Sequence, residues 1–165
     1  DVGKVGVFGA SAGGHLAGLL ATGAVLSLDA PGTSPPRPEF SVLAYSVADL
    51  KLLPDAPVEA MTNGRLHLRD EFSPVTHISP GTGPVFAWCT LNDPPGLPNT
   101  LELVRACAAA GVSCEIHVFP EGITASGWPT ACRGARRRRG ADAPLVSIPH
   151  TAGWTDLCER WLRQL

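Results

Sequence analysis

Residues 3 to 20 leave this chain few ways to fold. Val5, Val7 and Phe8 form a short β-branched and aromatic run, which breaks into Gly9-Ala10-Ser11-Ala12-Gly13-Gly14 and resumes with Leu16, Leu19 and Leu20 at helical spacing. The pattern predicts a strand, a tight turn and a helix, with Ser11 in the turn inside G-x-S-x-G. In a nucleophile elbow the serine takes a strained backbone conformation that lifts its hydroxyl clear of the sheet. The glycines two before and two after it keep side chains out of a close strand–helix contact. The start of the helix aims backbone N–H groups, beginning with that of Ala12, where an oxyanion can be stabilised. The plainer reading is a glycine-rich turn; the strand before it and the helix after it favour the nucleophile.

Beyond this stretch, strands and helices alternate. Phe40 to Tyr45 reads as a second buried strand, entered from the turn-forming loop 29–38. Pro84 to Cys89 reads as a third, and Ser113 to Phe119 as a fourth, ended by Pro120-Glu121-Gly122. Asn99 to Ala110 reads as a helix with Leu101, Val104 and Ala108 on one face, Asn99 or Thr100 as its cap and Gly111 as its stop. Trp154, Leu157, Cys158, Trp161 and Leu162 fall at i, i+3, i+4, i+7 and i+8, an amphipathic closing helix. Residues 46 to 82 carry no sustained periodicity and read as a lid-like excursion with one or two short helices, suited to shaping a substrate site. The alternation argues for the α/β class: a parallel sheet of about four strands with flanking helices and right-handed crossovers. The loop from Thr90 to Pro98 follows the third strand, at the sheet edge where open α/β folds gather their chemistry.

At 165 residues, with 44% hydrophobic residues, the chain is a single domain able to bury a core. A net charge of −2 gives no reason to expect nucleic acid or an anionic membrane as a partner. No run reaches transmembrane length, and no signal peptide opens the chain, whose first residues read as the lead-in to a buried strand. Cys89, Cys107, Cys114, Cys132 and Cys158 are odd in number and show no C-x-x-C spacing. They are expected as small core residues in a reducing, cytoplasmic setting rather than as bridges or metal ligands, and no cofactor is expected.

The segment Gly9-Ala10-Ser11-Ala12-Gly13-Gly14-His15-Leu16-Ala17 resembles the elbow of α/β-hydrolase-fold serine esterases. The likeness is to the acetyl-xylan-esterase-like branch, which includes hormone-sensitive-lipase-like carboxylesterases, and it covers most of the chain outside residues 123–143. The resemblance implies a partial α/β-hydrolase fold cleaving carboxylic esters, short-chain or acetyl and including esters on carbohydrate. It makes Ser11 the acyl-enzyme nucleophile and the Ala12 N–H an oxyanion donor. Asp93 stands in the loop where the family keeps its triad acid, typically D-x-x-V-P, although the spacing to Pro98 is one residue longer here. The plainer reading of Asp93 is an Asx-turn aspartate, and Asn92 is the neighbour most easily mistaken for it. The family's first strands and its H-G-G oxyanion loop precede the elbow and are not in this chain. The elbow strand is therefore expected at a bare sheet edge, in a fragment open to self-association.

The family also follows F-P-E-G at once with G-H-G or H-H-G, the source of the general base. Here Phe119-Pro120-Glu121-Gly122 runs into Ile123-Thr124-Ala125, and the tract to Gly140 ends in Arg136 to Arg139. Such a basic run by itself reads as a solvated face or an anion-binding patch. GC-rich codons fit the Ala, Gly, Pro and Arg content. With them, residues 123–132 read one base earlier, from the last C of codon 122, become CAT CAC GGC CTC GGG CTG GCC GAC GGC GTG. That spells His-His-Gly-Leu-Gly-Leu-Ala-Asp-Gly-Val. A one-base loss near Gly122, restored before Pro144, is the expectation, with segment 123–143 out of frame and activity impaired. His150 is the only downstream histidine and hence the replacement base to weigh; its plainer role is structural, as for His117 on a strand and His15 in the elbow helix. The alternatives are a non-catalytic remnant or binding fragment, and a peptidase of the same fold.

Overall fold

The computed structural model describes residues 4–24, 37–121 and 149–165. Strand β1 (Gly6–Ala10) turns through Ser11 into α1 (Ala12–Thr22), and β2 (Phe40–Ala44) follows. The stretch to the next strand holds α2 (Asp55–Thr62) among 3₁₀ turns at Leu50–Leu52, Leu66–Leu68 and Pro74–His77. Then come β3 (Val85–Thr90), α3 (Gly96–Ala110), β4 (Cys114–Phe119) and two closing helices, α4 (Pro149–Ala152) and α5 (Trp154–Leu162). Among the described residues the strands form one sheet in the order β1-β2-β3-β4, every neighbouring pair parallel. Ala10 lies beside Ala44, Ala44 beside Trp88, and Thr90 beside Phe119, so all four carboxyl ends share one edge.

The period of two along each strand divides the core. Val42, Ala44, Phe86, Trp88 and Phe119 face α5, packing with Trp154, Cys158 and Trp161. Leu43, Val85 and Ala87 face the other way, onto Ala17 of α1 and Leu103 and Cys107 of α3. β3 is buried at all six positions, which is why its sequence is a continuous apolar run rather than an alternating one. Trp154 ties the layers together: its ring stacks on Phe8 with centroids 6.0 Å apart and on Trp88 at 5.4 Å.

Two helices pack on faces other than those the periodicity suggests. In α1 the buried residues are mostly small, Gly14, Ala17, Gly18 and Ala21, with His15, Leu19 and Thr22; Leu16 is 65% exposed and Leu20 is exposed too. Close approach to β1, where Ala17 lies against Gly9, admits a small side chain and leaves Leu16 and Leu20 outward, while Leu19 is buried. Helix α3 begins at Gly96, three residues ahead of expectation, with Asn99 and Thr100 inside it and not capping it. Its buried stripe is Gly96, Thr100, Leu103 and Cys107, and Leu101 is 53% exposed. Asn99 sets that rotation. Its carboxamide oxygen accepts from the N–H groups of Ala48 and Asp49, 2.8 Å each, and its nitrogen donates to the Pro95 carbonyl at 2.8 Å.

The stretch between β2 and β3 is pinned by other buried polar groups. The Ser73 hydroxyl accepts from Leu50 N–H at 2.9 Å and donates to the Arg69 carbonyl at 2.6 Å. His15 Nε2 donates to the Phe72 carbonyl at 2.7 Å, joining this stretch to α1. No helix among the described residues is long and apolar enough to cross a membrane.

Candidate active site

Ser11 sits between β1 and α1 with φ 54° and ψ −122°, one of three non-glycine residues at positive φ among those described. Such a conformation is costly for a residue with a Cβ and persists only where the surroundings hold it. Here the Ser11 N–H is bound to the Ala44 carbonyl at 3.0 Å and its own carbonyl accepts from His15 N–H at 3.1 Å. The Ser11 amide is thus used by the sheet. Ala12 opens α1, where helix geometry leaves the first N–H groups without an intrahelical partner.

The glycines around Ser11 divide the packing differently from the motif's symmetry. A Cβ on Gly9 would lie 2.2 Å from the Gly13 carbonyl oxygen and 2.7 Å from Ala17 Cβ; one on Gly14 would lie 2.4 Å from Ser46 Cβ. A Cβ on Gly13 would meet nothing within 4 Å among the described residues. So Gly9 and Gly14 make room, whereas Gly13 contributes its backbone to the contact. Next to this turn, Tyr45 at the end of β2 has φ 37°, its N–H bound to the Trp88 carbonyl at 2.6 Å and its ring edge-on to Trp88. Two strained residues on adjacent strand ends mark this part of the edge. Nothing in the sequence signals the strain at Tyr45, which comes from the chain leaving β2 beside Ser11.

Asp93 lies beyond the end of β3, two strands from β1, which at about 4.8 Å per strand is roughly 10 Å across the sheet. It is 3% exposed, while Asn92 beside it is exposed. One carboxylate oxygen accepts the Gly96 N–H at 3.1 Å, and its carbonyl accepts from Leu97 N–H at 3.0 Å. A Cβ on Gly96 would sit 2.7 Å from that carboxylate, so glycine is needed there. Asp93 therefore braces the first turn of α3, the plainer role, from a position on the same edge as Ser11. Burial pushes the nearby Cys89 thiol up, against a hydrogen bond with Thr100, and the Asp93 charge adds to the shift, which makes Cys89 a poor nucleophile.

The histidines are dispersed. His15 is buried, and burial pulls its pKa down while its ring is held by Phe72. His117 on β4 pairs with Glu115 at 2.9 Å and packs on Phe86. His150, in the first turn of α4, is exposed, with its ring edge-on to Phe119 at 5.6 Å, at the end of the strand farthest from β1. The tract 123–143 lies outside the described residues. Among the residues that are described, no group of three or more His, Cys, Asp or Glu is placed to hold a metal ion.

No family model matches the chain, and no curated protein does. Solved structures do. An acetyl ester-xyloside bifunctional hydrolase from Caldicellulosiruptor lactoaceticus is 28% identical with a TM-score of 0.68, over 96% of this chain and 56% of that one. A carboxylesterase from Lactobacillus plantarum is 24% identical with a TM-score of 0.77, over 99% and 59%. A sugar hydrolase from Lactococcus lactis is 22% identical with a TM-score of 0.67, over 95% and 56%. The chain spans between 56% and 59% of the length of these proteins. Matched almost end to end, with four parallel strands between two helical layers, the chain carries part of the α/β-hydrolase fold on which these ester and sugar hydrolases are built.

Proposed function

We propose that this chain derives from a serine hydrolase of carboxylic esters, short-chain or acetyl and including esters on carbohydrate, working through an acyl-enzyme on Ser11. In this reading the Ser11 Oγ attacks the ester carbonyl and the Ala12 N–H receives the developing oxyanion. Asp93 orients an imidazole and stabilises it once protonated. That imidazole belongs to a histidine which the frame after Gly122 no longer encodes, so segment 123–143 is out of frame. The observation that carries the reading is the backbone of Ser11: φ 54° and ψ −122° at a strand-to-helix turn, a conformation costing about 1–3 kcal/mol. A merely glycine-rich turn would put a glycine there. The ester and acetyl-ester activities named for the similar structures support the substrate class.

Without the histidine, turnover by this chain is expected to fall by about 10²–10⁴. A fluorophosphonate probe tests the nucleophile: stoichiometric labelling of the folded chain that disappears in Ser11→Ala supports the reading, and no labelling rejects it in favour of a non-catalytic remnant. Turnover of p-nitrophenyl acetate against a peptide amide separates esterase from peptidase. The nucleotide sequence around codon 122 tests the lost base. If the neighbouring frame does not spell His-His-Gly, that part is wrong; if it does, restoring the frame should raise ester turnover by the same factor. His150→Ala is expected to leave turnover unchanged.

A further inference from the structure

On the face of the sheet turned to α1 and α3, one buried side chain is left without a partner. Ser41 on β2 is 1% exposed, and its hydroxyl makes no hydrogen bond. Its backbone is fully placed: the amide binds the Pro84 carbonyl at 3.0 Å, and the residue lies between Val7 and Val85 in the ladder. Strand alternation sends its side chain the same way as that of Leu43, toward α1 and α3. Among the described residues one other buried side-chain polar atom shares this state, the Trp88 indole nitrogen on the opposite face. The Ser41 hydroxyl also adjoins a cavity. Ser41 lines it together with Leu43, Leu103, Thr22 of α1 and Thr82 of the turn before β3, and the centre of a water molecule has about 10 Å³ to move in. That is room for about one water. Helix α1 and the 3₁₀ turn at Pro74–His77 meet closely beside it, since a Cβ on Gly18 would lie 3.0 Å from Pro74 Cγ. Thr22 and Thr82 are buried like Ser41. The Thr22 hydroxyl spends its proton on the Gly18 and Leu19 carbonyls, at 2.9 and 3.2 Å, and keeps its lone pairs. The Thr82 hydroxyl accepts from the Ser79 N–H at 3.1 Å and keeps its proton to give.

We propose that this cavity is a binding site for a single internal water, which accepts from the Ser41 hydroxyl and joins β2 to Thr22 of α1 and Thr82 of the turn before β3. A hydroxyl sealed among apolar neighbours forfeits its bonds to solvent and gains nothing in return. One water restores them. Cavities that stay dry are lined by apolar groups, whereas internal waters take about two to four polar partners. Ser41 and Thr82 have protons to give and Thr22 has a lone pair to receive one, so three hydroxyls of complementary capacity line the same space. The volume admits nothing larger, which makes the ligand water rather than an organic molecule. The site lies on the sheet face beneath α1 and owes nothing to the chemistry proposed for Ser11, so either reading can fail without the other.

The test is a crystal structure of the wild-type chain at a resolution that orders internal waters. One compact density peak is expected in the cavity, within about 2.5–3.2 Å of Ser41 Oγ and of at least one further polar atom. No peak there overturns the proposal, as does a peak too long to be water or a Ser41 hydroxyl turned onto a backbone carbonyl. Ser41→Val puts a methyl where the hydroxyl stands and should abolish the peak; a peak that survives the change overturns the role given to Ser41. In solution, oxygen-17 relaxation dispersion counts the waters held for longer than the molecule takes to tumble. That count should fall by one from the wild type to Ser41→Val, and an equal count overturns the proposal. The wild-type density map decides it whether or not the valine variant folds.

Discussion

Gly9 and Gly13 flank Ser11 symmetrically in sequence but not in space, and the difference is measurable. A methyl on Gly9 meets the Gly13 carbonyl at 2.2 Å, backbone against backbone, so Gly9→Ala should be strongly destabilising, by more than about 2 kcal/mol in urea denaturation. Gly13→Ala puts its methyl into open space inside a helix, where alanine is favoured over glycine by about 0.5–1 kcal/mol, and should be neutral or stabilising. Equal effects would show that the turn is built otherwise. His15 offers a pH test. Burial lowers its folded pKa below 6.5, so under acid conditions the unfolded chain takes up a proton before the folded chain does. Its contribution is therefore complete above pH 6.5 and is lost as pH falls from there through the lowered folded value. Unfolding free energy measured against pH should lose part of that slope in His15→Gln; an unchanged slope would mean the ring is accessible to protons.

Helix α3 shows how far periodicity reaches. Its existence, its stop at Gly111 and its crossover role were legible, because Gly in the left-handed conformation and an apolar period are local properties. Its face was not. Leu101 with Val104, and Leu103 with Cys107, are both acceptable stripes on the sequence, and the choice is made by Asn99, whose amide is drawn in to satisfy Ala48 and Asp49 from a distant loop. Leu103→Ala should therefore cost about 2–5 kcal/mol, and Leu101→Ala less than about 0.5 kcal/mol. Asn99→Ala strands one buried and one part-buried N–H group and should cost about 1–3 kcal/mol. Chemical denaturation of the three variants checks the order; a larger loss from Leu101 than from Leu103 would contradict the packing described above. The strain at Tyr45 was hidden for the same reason, since it arises only where β2 ends against the turn carrying Ser11.

In the described residues β1 ends the sheet, with Val5 71% exposed just before it and Leu16 and Leu20 exposed on the helix that follows. A parallel strand with an open edge and apolar neighbours offers backbone groups and a dry surface to another chain. The expected consequence is self-association that rises with concentration in sedimentation velocity and is abolished by Val5→Lys with Leu16→Lys. A chain that stays monomeric throughout would show that this edge is covered. What the amino-acid order alone determined was the run of alternating strands and helices, the turn holding Ser11 and the loop holding Asp93. These follow from local period and turn chemistry, which act between residues a few positions apart. Only the folded molecule decided that Ser11 adopts φ 54°, that Asp93 is buried on the same edge, and that α1 and α3 turn small and polar residues inward. The reason is physical: strain, desolvation and the rotation of a helix are set by partners tens of residues away, and no window along the chain contains both sides of such a contact.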